Sequence, residues 1–230
     1  MALASDVNAP QQGTPVPSAA ARRFLHVGCG PARKSHTTPA FNTPAWEELR
    51  FDIDPSAQPD VVGSMTDMSA VDTQTMDAVF SSHNIEHLYV HEVPVALREF
   101  LRVLKQDGFL VLTCPDLQSV CELVAQDKLL EPAYQSASGP ISPLDILYGF
   151  RRDMARGNLF MAHRSGFTRS VLMQLLIECG FSQAIVMQRT HPYYDLWAIA
   201  SKDRKPEEAL RSLANGHFPA DGRTAAIGEY

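Results

Sequence analysis

Glycines and acids near the start of the chain have the residue types and spacing of a nucleoside-binding site. Gly28 and Gly30 follow a short apolar segment, and Asp52 and Asp54 stand at the end of the next one. Glycines at the end of a strand remove the side chains that would keep a ligand away from the backbone. An acid at the tip of the following strand can accept hydrogen bonds from a ribose diol. The pattern therefore predicts a nucleoside site between these two segments.

Three histidines, at positions 83, 87 and 91, follow a later apolar segment at intervals of four residues. Imidazole suits both proton transfer near neutral pH and metal binding, and this interval would place the three rings on one helix face. Pro94 and the strand boundary before His83 argue against one continuous helix, so we expect no metal here. His83 is interpreted either as a substrate-facing base or as a residue that makes local hydrogen bonds.

Two further residues are candidates for chemistry on the acceptor side. His163 belongs to an irregular region and could enter the same cleft as His83. Asp116 ends a strand at the carboxyl edge of the predicted sheet, where ligands bind in such sheets, although an acid after proline is also a common turn residue. Both readings of Asp116 stay open.

Bulk properties fit one ordinary globular domain and exclude several classes of function. The chain has 230 residues, of which 45% are hydrophobic and 20% charged, with a formal net charge of -6. Without a basic stripe it is not expected to bind nucleic acid, and no apolar run approaches the roughly 20 residues that span a bilayer. The four cysteines form no CxxC pair, which favours reduced thiols in a cytoplasmic protein.

The elements that must position these residues alternate between strands and helices. Apolar residues recur at helical spacing from Val93 to Leu104 and again after Thr168, a good N-cap. The link between the second and third strands is too short for a crossover helix. Between the first and second strands, three prolines confine any helix to a short one at Pro44–Glu48. The predicted strands are Phe24–Val27, Leu49–Ile53, Asp60–Val62, Ala78–Ser81, Phe109–Cys114, Ala184–Met187 and Leu196–Ala200.

The last two strands are joined by a loop too short for a helical crossover, so this pair should be antiparallel. We therefore predict an α/β fold with a Rossmann-like, doubly wound sheet of about seven strands, mostly parallel. Residues 117–166 interrupt the alternation and are expected to form an inserted helical lid, with helices at Leu117–Leu130 and near Asp145–Ala155. Residues 1–22 are expected to be a disordered leader, 23–203 the main domain, and 204–230 a C-terminal helix and tail.

Four segments together resemble the class I S-adenosylmethionine (SAM)-dependent methyltransferases. They read HVGCG at 26–30, FDIDP at 51–55, MDAVFSSHNIEHL at 76–88 and REFLRVLKQDGFLVLTCPDL at 98–117. The resemblance covers roughly residues 23–203. Two further segments, PDVVGSMTDMS at 59–69 and HRSGFT at 163–168, are similar to a bacterial branch of methyltransferase type 11-like proteins.

The resemblance implies a set of cofactor contacts. Gly28, Cys29 and Gly30 would line the methionine and ribose part of SAM, and Asp52 would bind the ribose hydroxyls with Asp54 behind it. The remaining implied contacts are Met65 and Asp67 at the adenine, Ser81 and Ser82 at the methionine end, and His87 in a structural or cofactor-side role.

Two departures from the family pattern concern the first strand. His26 stands where the family usually has an acid that anchors the SAM ammonium, and Pro31-Ala32 stands where a third glycine is usual. A stiffer turn follows from the proline.

The predicted function is SAM-dependent methyl transfer to a small polar acceptor, such as the hydroxyl, amine or carboxylate of a sugar or metabolite. S-adenosylhomocysteine would be the product. The alternative is a catalytically silent SAM-binding subunit that scaffolds or regulates a partner. A nicotinamide-dependent oxidoreductase is disfavoured because Arg33 occupies the third glycine position of that fingerprint. The expected partner is a small-molecule substrate. Assembly into a homodimer is left as a possibility.

Overall fold

A mixed sheet with helices on both faces organises the protein. The computed structural model describes residues 21–220, together with the backbone of 227–228. The strands are β1 (Arg22–Val27), β2 (Trp46–Asp52), β3 (Val61–Val62), β4 (Met76–Ser82), β5 (Leu104–Pro115), β6 (Tyr134–Ser136), β7 (Gly139–Ile141), β8 (Gln183–Arg189), β9 (Asp195–Ser201) and β10 (Ile227–Gly228). The helices are α1 (Val93–Val103), α2 (Leu117–Ala125), α3 (Pro143–Tyr148), α4 (Arg151–Met154), α5 (Arg169–Glu178) and α6 (Glu207–His217).

The main sheet has the order β10-β8-β9-β5-β4-β1-β2-β3. Strands β1 to β5 pair in parallel, whereas β9 runs antiparallel to both β5 and β8. This confirms the predicted Rossmann-like sheet and its antiparallel final pair. The edge strand β10, from the end of the chain, extends it by one antiparallel strand. The carboxyl ends of β1, β2 and β4 meet at one edge, where ligands bind in such sheets.

Two apolar clusters cover the two faces of the sheet. On one face, α1 buries side chains three or four positions apart, including Val93, Leu97 and Phe100, and α5 packs beside it. On the other face Phe41 and α6 close over β1, β4 and β5. Phe100 is fully buried, and its replacement by alanine would cost about 3–5 kcal/mol of stability.

The helix predicted at Pro44–Glu48 is wrong, because Trp46 already begins β2. The indole is buried edge-on against the rings of Phe24 and Phe41, and its backbone pairs with Arg22 of β1. This packing draws the segment into the sheet. The connection between β1 and β2 instead contains a 3-10 turn at Lys34–His36.

The short link between β2 and β3 behaves as predicted. It contains only a 3-10 turn at Pro55–Ala57, which begins where the Asp54 carboxylate accepts a hydrogen bond from the Ser56 N–H. A full crossover helix is absent from this described segment.

The insertion after β5 combines short helices with a small β-hairpin. Its first helix, α2, ends at Ala125, earlier than the predicted Leu130. The second predicted helix is split into α3 and α4 at Gly149, which has a φ of 98° and leaves no room for a Cβ against the Met161 carbonyl. The β6–β7 hairpin lies between α2 and α3. The predicted helical lid is therefore a mixed segment.

The ends of the chain are only partly described. The predicted C-terminal helix is present as α6. The predicted leader lies outside the described residues except for 21–22. Along the described part of the chain, none of the helices has the length and apolar character needed to cross a membrane.

Candidate active site

The glycine turn after β1 is shaped by its contact with the next strand over. Gly28 has a φ of 63° and Gly30 a φ of 48°, a region that favours glycine. A Cβ on Gly28 would overlap the side chain of Asn84, which follows β4. The Asn84 amide donates hydrogen bonds to the carbonyls of Val27, at 3.0 Å, and Ser82, at 2.9 Å. Gly28 thus lets the β1 and β4 turns lock together, while a Cβ on Gly30 would meet open space.

The acid at the tip of β2 organises the backbone around it. The Asp52 carboxylate accepts hydrogen bonds from the N–H of Gly30 at 2.6 Å and from the N–H of Asp54 at 2.8 Å. It is nearly buried, with 8% of its surface exposed. Because a carboxylate has about four lone-pair positions, it can still accept from a diol.

Arg50, which the sequence analysis did not single out, cross-links the two loops on either side of this acid. Its buried guanidinium donates to the backbone carbonyls of Gly30 and Ala32 in the first loop and of Ala57 and Gln58 in the second. No local pattern announces this role, since it depends on the carbonyls of two loops converging in the folded chain.

These loops border a cavity of about 530 Å³. Its volume lies within the range of roughly 300–1,000 Å³ that is usual for small-molecule sites. Predicted cofactor residues that line it are Gly28, Gly30, Asp52, Asp54, Met65 and His87. Asn84 also lines the cavity. The sequence does not indicate this role, because it depends on the contact that folding brings about between Asn84 and the glycine turn.

Four predicted cofactor residues do not line the cavity. Cys29 is buried, and burial raises the pKa of its thiol to about 11. Ser81 is fully buried, and the Ser82 hydroxyl pairs with that of Thr113 across β4 and β5. Asp67 is exposed at a separate surface cleft, where its carboxylate accepts from the Ser69 N–H.

The three predicted catalytic residues occupy different surroundings. His83 lines the cavity with about half of its side chain exposed, and its Nδ1 lies 3.5 Å from Oε1 of the buried Glu86. Although loss of hydration works against the charged ring, the Glu86 carboxylate raises the pKa of His83. His163 lies behind the cavity wall beside His87, and burial lowers its pKa.

The prediction that Asp116 acts as a catalytic residue is not supported by its position. Its carboxylate is fully buried, caps α2 by accepting from the N–H groups of Gln118 and Ser119, and accepts from Gln188 Nε2 at 2.6 Å. Its position agrees with the alternative given above, a turn residue that follows a proline.

The three histidines at four-residue spacing do not share a helix face. Residues Ile85–His87 form a 3-10 turn, and His91 lies on the following loop with its ring stacked on Tyr89. His83 and His87 line the cavity.

His26, at the position where an acid is usual, faces away from the cavity. Its Nδ1 lies 2.7 Å from Glu48 Oε1, and burial lowers the pKa of the ring. The pair joins β1 to β2 beneath the glycine turn.

The insertion supplies the opposite wall of the cavity. Residues of α4 and of the 3-10 turn at Leu159–Met161 face the glycine loop, and the Arg164 backbone is tied to the Glu86 carbonyl at 2.8 Å. The lining residues from this side are Asp153, Asn158, Phe160, Met161 and Arg164. The insertion thus lies across the cavity from the glycine turn, in the position of a lid.

Residues 25–112 match the sequence model of a family described as methyltransferase domain. This stretch contains the glycine turn, Asp52 and the β4 turn that form one side of the cavity. Over these residues the chain is similar to a methyltransferase domain. No curated protein matches the chain in sequence.

Solved structures share the fold of this chain at low sequence identity. The PH0226 protein of Pyrococcus horikoshii has a TM-score of 0.55 and 16% identity, over 80% of this chain and 82% of that one. A SAM-dependent methyltransferase of Methanosarcina mazei has a TM-score of 0.53 and 16% identity, over 82% and 95%. The 1,6-didemethyltoxoflavin-N1-methyltransferase of Burkholderia thailandensis, solved with S-adenosylhomocysteine, has a TM-score of 0.51 and 16% identity, over 80% and 72%.

SAM is the cofactor that the similarity to methyltransferases implies. Its nucleoside fits the described residues, since the glycine turn leaves the backbone open at Gly30 and a nearly buried carboxylate stands beside it.

Proposed function

We propose that the protein transfers the methyl group of SAM to a small polar acceptor that carries a hydroxyl, amine or carboxylate. The supporting observation is the single cavity that joins the glycine turn and Asp52 on one side to His83 and the polar residues of the insertion on the other. An acceptor large enough to need an extended basic surface would not match a chain of net charge -6.

In this proposal the cofactor lies along the turns after β1 and β2. Asp52 would accept from the ribose hydroxyls, the backbone at Gly28 and Gly30 would border the amino-acid part, and Met65 would pack against the adenine. When bound, SAM supplies a methyl group already activated on a sulfonium. The protein then needs to orient the acceptor and exclude competing water.

His83 is the group proposed to take the acceptor's proton. It lines the cavity, and its ring is held toward Glu86, a carboxylate that stabilises the imidazolium after proton transfer. The insertion residues Asp153 and Asn158 would contact the polar groups of the acceptor.

A cofactor titration and a transfer assay test the proposal separately. Calorimetry should show S-adenosylhomocysteine binding at about one site per chain. Methyl-tritiated SAM, incubated with panels of small hydroxyl, amine and carboxylate compounds, should label at least one panel. A His83→Gln variant should retain cofactor binding and lose most of the transfer, with the largest loss at high pH, where the wild-type ring is neutral and can accept a proton, and the smallest loss at low pH. Labelling at the wild-type rate in His83→Gln would remove the proposed base.

We also infer a cytoplasmic location. The four cysteines are all free, three of them buried, as expected for a reducing compartment. Cell fractionation that recovers the protein outside the cytoplasm would contradict this. Assembly into a homodimer stays a prediction, which light scattering would test.

A further inference from the structure

A cluster of potential metal ligands lies behind the cavity wall. Glu86 and His87 belong to the 3-10 turn after β4, and His163 reaches them from the end of the insertion. One ligand atom from each residue lies within 4.8 Å of the other two, and the two imidazole centroids are 4.9 Å apart. The cluster therefore joins residues that are distant in the sequence.

Hydrogen bonds fix the orientation of both imidazoles in the same way. His87 Nδ1 lies 3.1 Å from the Ala162 carbonyl oxygen, and His163 Nδ1 lies 2.7 Å from that of Ile146. A carbonyl oxygen can only accept, so each Nδ1 carries the hydrogen and each neutral ring keeps a lone pair on Nε2. A backbone carbonyl at the far nitrogen is the usual support of a metal-binding histidine.

The carboxylate of the cluster lacks the hydrogen bonds that its burial demands. Glu86 is 1% exposed, and neither of its oxygens accepts a hydrogen bond from any described residue. The Nδ1 atom of His83 lies 3.5 Å from Oε1. A buried carboxylate without donors is strongly unfavourable. The lone pairs of two imidazoles and the oxygens of this carboxylate thus face one another without a donor between them. A bound cation would remove this repulsion.

A small cavity borders two of the three residues. A cavity of about 20 Å³, enough for one water-sized particle, touches Glu86 and His163 and is otherwise lined mostly by apolar side chains. His87 in turn lines the cofactor cavity. An ion held by all three residues would lie between this small cavity and the cofactor cavity.

The geometry points to a binding site for one divalent transition-metal ion, held by Glu86, His87 and His163. Two imidazoles and one carboxylate suit Zn²⁺, Mn²⁺, Fe²⁺ or Co²⁺, whereas Ca²⁺ and Mg²⁺ prefer sites built from oxygen alone. This site differs from the histidine trio considered from the sequence, since a carboxylate and a distant histidine replace His83 and His91.

The test uses the untagged full-length protein, stripped with a chelator and titrated with Co²⁺. Visible absorption reports the ligand field of the ion, and calorimetry reports the affinity. We expect about one Co²⁺ per chain, competed by Zn²⁺, and a loss of at least about tenfold in affinity in Glu86→Gln and in His163→Ala. The matched control His91→Ala removes an exposed histidine from the neighbouring loop and should bind like the wild type.

Binding of S-adenosylhomocysteine, measured on the same samples, shows whether each variant is folded and keeps this test apart from the proposed function. If the wild-type protein takes up no Co²⁺ at about 1 mM, the proposed metal site is wrong and the small cavity holds water. Equal affinity in wild type, Glu86→Gln and His163→Ala would also overturn it. Failure of cofactor binding with Co²⁺ bound would instead count against the proposed function alone.

Discussion

Replacement of Asp52 by alanine tests the arrangement of the cofactor site most directly. The carboxylate accepts two backbone hydrogen bonds, from Gly30 at 2.6 Å and from Asp54 at 2.8 Å. Hydrogen bonds to a charged acceptor contribute about 1.5–3 kcal/mol each. Because these N–H groups border an open cavity, water would replace part of the loss, so we expect about 2–4 kcal/mol lower stability.

Cofactor affinity should fall in addition, because the ribose loses its acceptor. One lost hydrogen bond to a charged group, at about 1.5–3 kcal/mol, corresponds to roughly 10- to 150-fold weaker binding. Asp52→Asn, which keeps the shape but not the charge, should lie between wild type and Asp52→Ala. Urea unfolding measures the stability, and calorimetry with S-adenosylhomocysteine measures the affinity.

The matched control is Asp72→Asn, which removes one exposed carboxylate away from the cavity. It should leave the cofactor affinity unchanged. If folded Asp52→Ala bound S-adenosylhomocysteine as tightly as this control, the ribose would lie elsewhere and the placement of the cofactor would be wrong.

Three further variants test separate parts of the structure. Asp67→Asn should bind S-adenosylhomocysteine as the wild type does, because Asp67 faces a different cleft; a tenfold loss would restore its predicted place at the adenine. Gly28→Ala should destabilise by more than about 1 kcal/mol and abolish measurable cofactor binding, since its Cβ would displace Asn84; wild-type urea and calorimetric curves would contradict this. Burial lowers the pKa of His217 to about 4 in the folded protein. As the pH falls from about 6.5 to 4, this histidine therefore becomes protonated in the unfolded chain but stays neutral in the folded one. The contribution of His217 to stability should therefore fall by about 3 kcal/mol across that window and stay constant below it. His217→Phe should flatten this part of the urea-derived profile, with His91→Ala as control; an unchanged slope would show that another group titrates.

Much of the fold could be predicted because it depends on local pattern. The apolar runs of β1, β4 and β5 and the short loop before β9 define the sheet and its antiparallel pair without any tertiary information. Segment 44–48 could not be predicted this way, because the burial of Trp46 against Phe24 and Phe41 overrides the local helical preference.

The site was predictable where it depends on the strand ends and not where it depends on contacts between loops. Gly28, Gly30 and Asp52 follow from the strand–turn–strand pattern. Arg50 and Asn84 act on backbone carbonyls of other loops, which no spacing along the chain indicates. Asp116 was ambiguous in sequence, since a helix cap and a catalytic acid at a strand end have the same signature.

The buried guanidinium of Arg50 has a consequence for the thermodynamics of ligand capture. Since one rigid planar group braces the backbone on both sides of Asp52, the two halves of the nucleoside cradle are constrained to shift together. The conformational entropy of aligning them is lost during folding of the chain, before any nucleoside arrives. Under the proposed function, association should accordingly proceed with little backbone rearrangement in this half of the pocket, and the insertion would adapt to different acceptors.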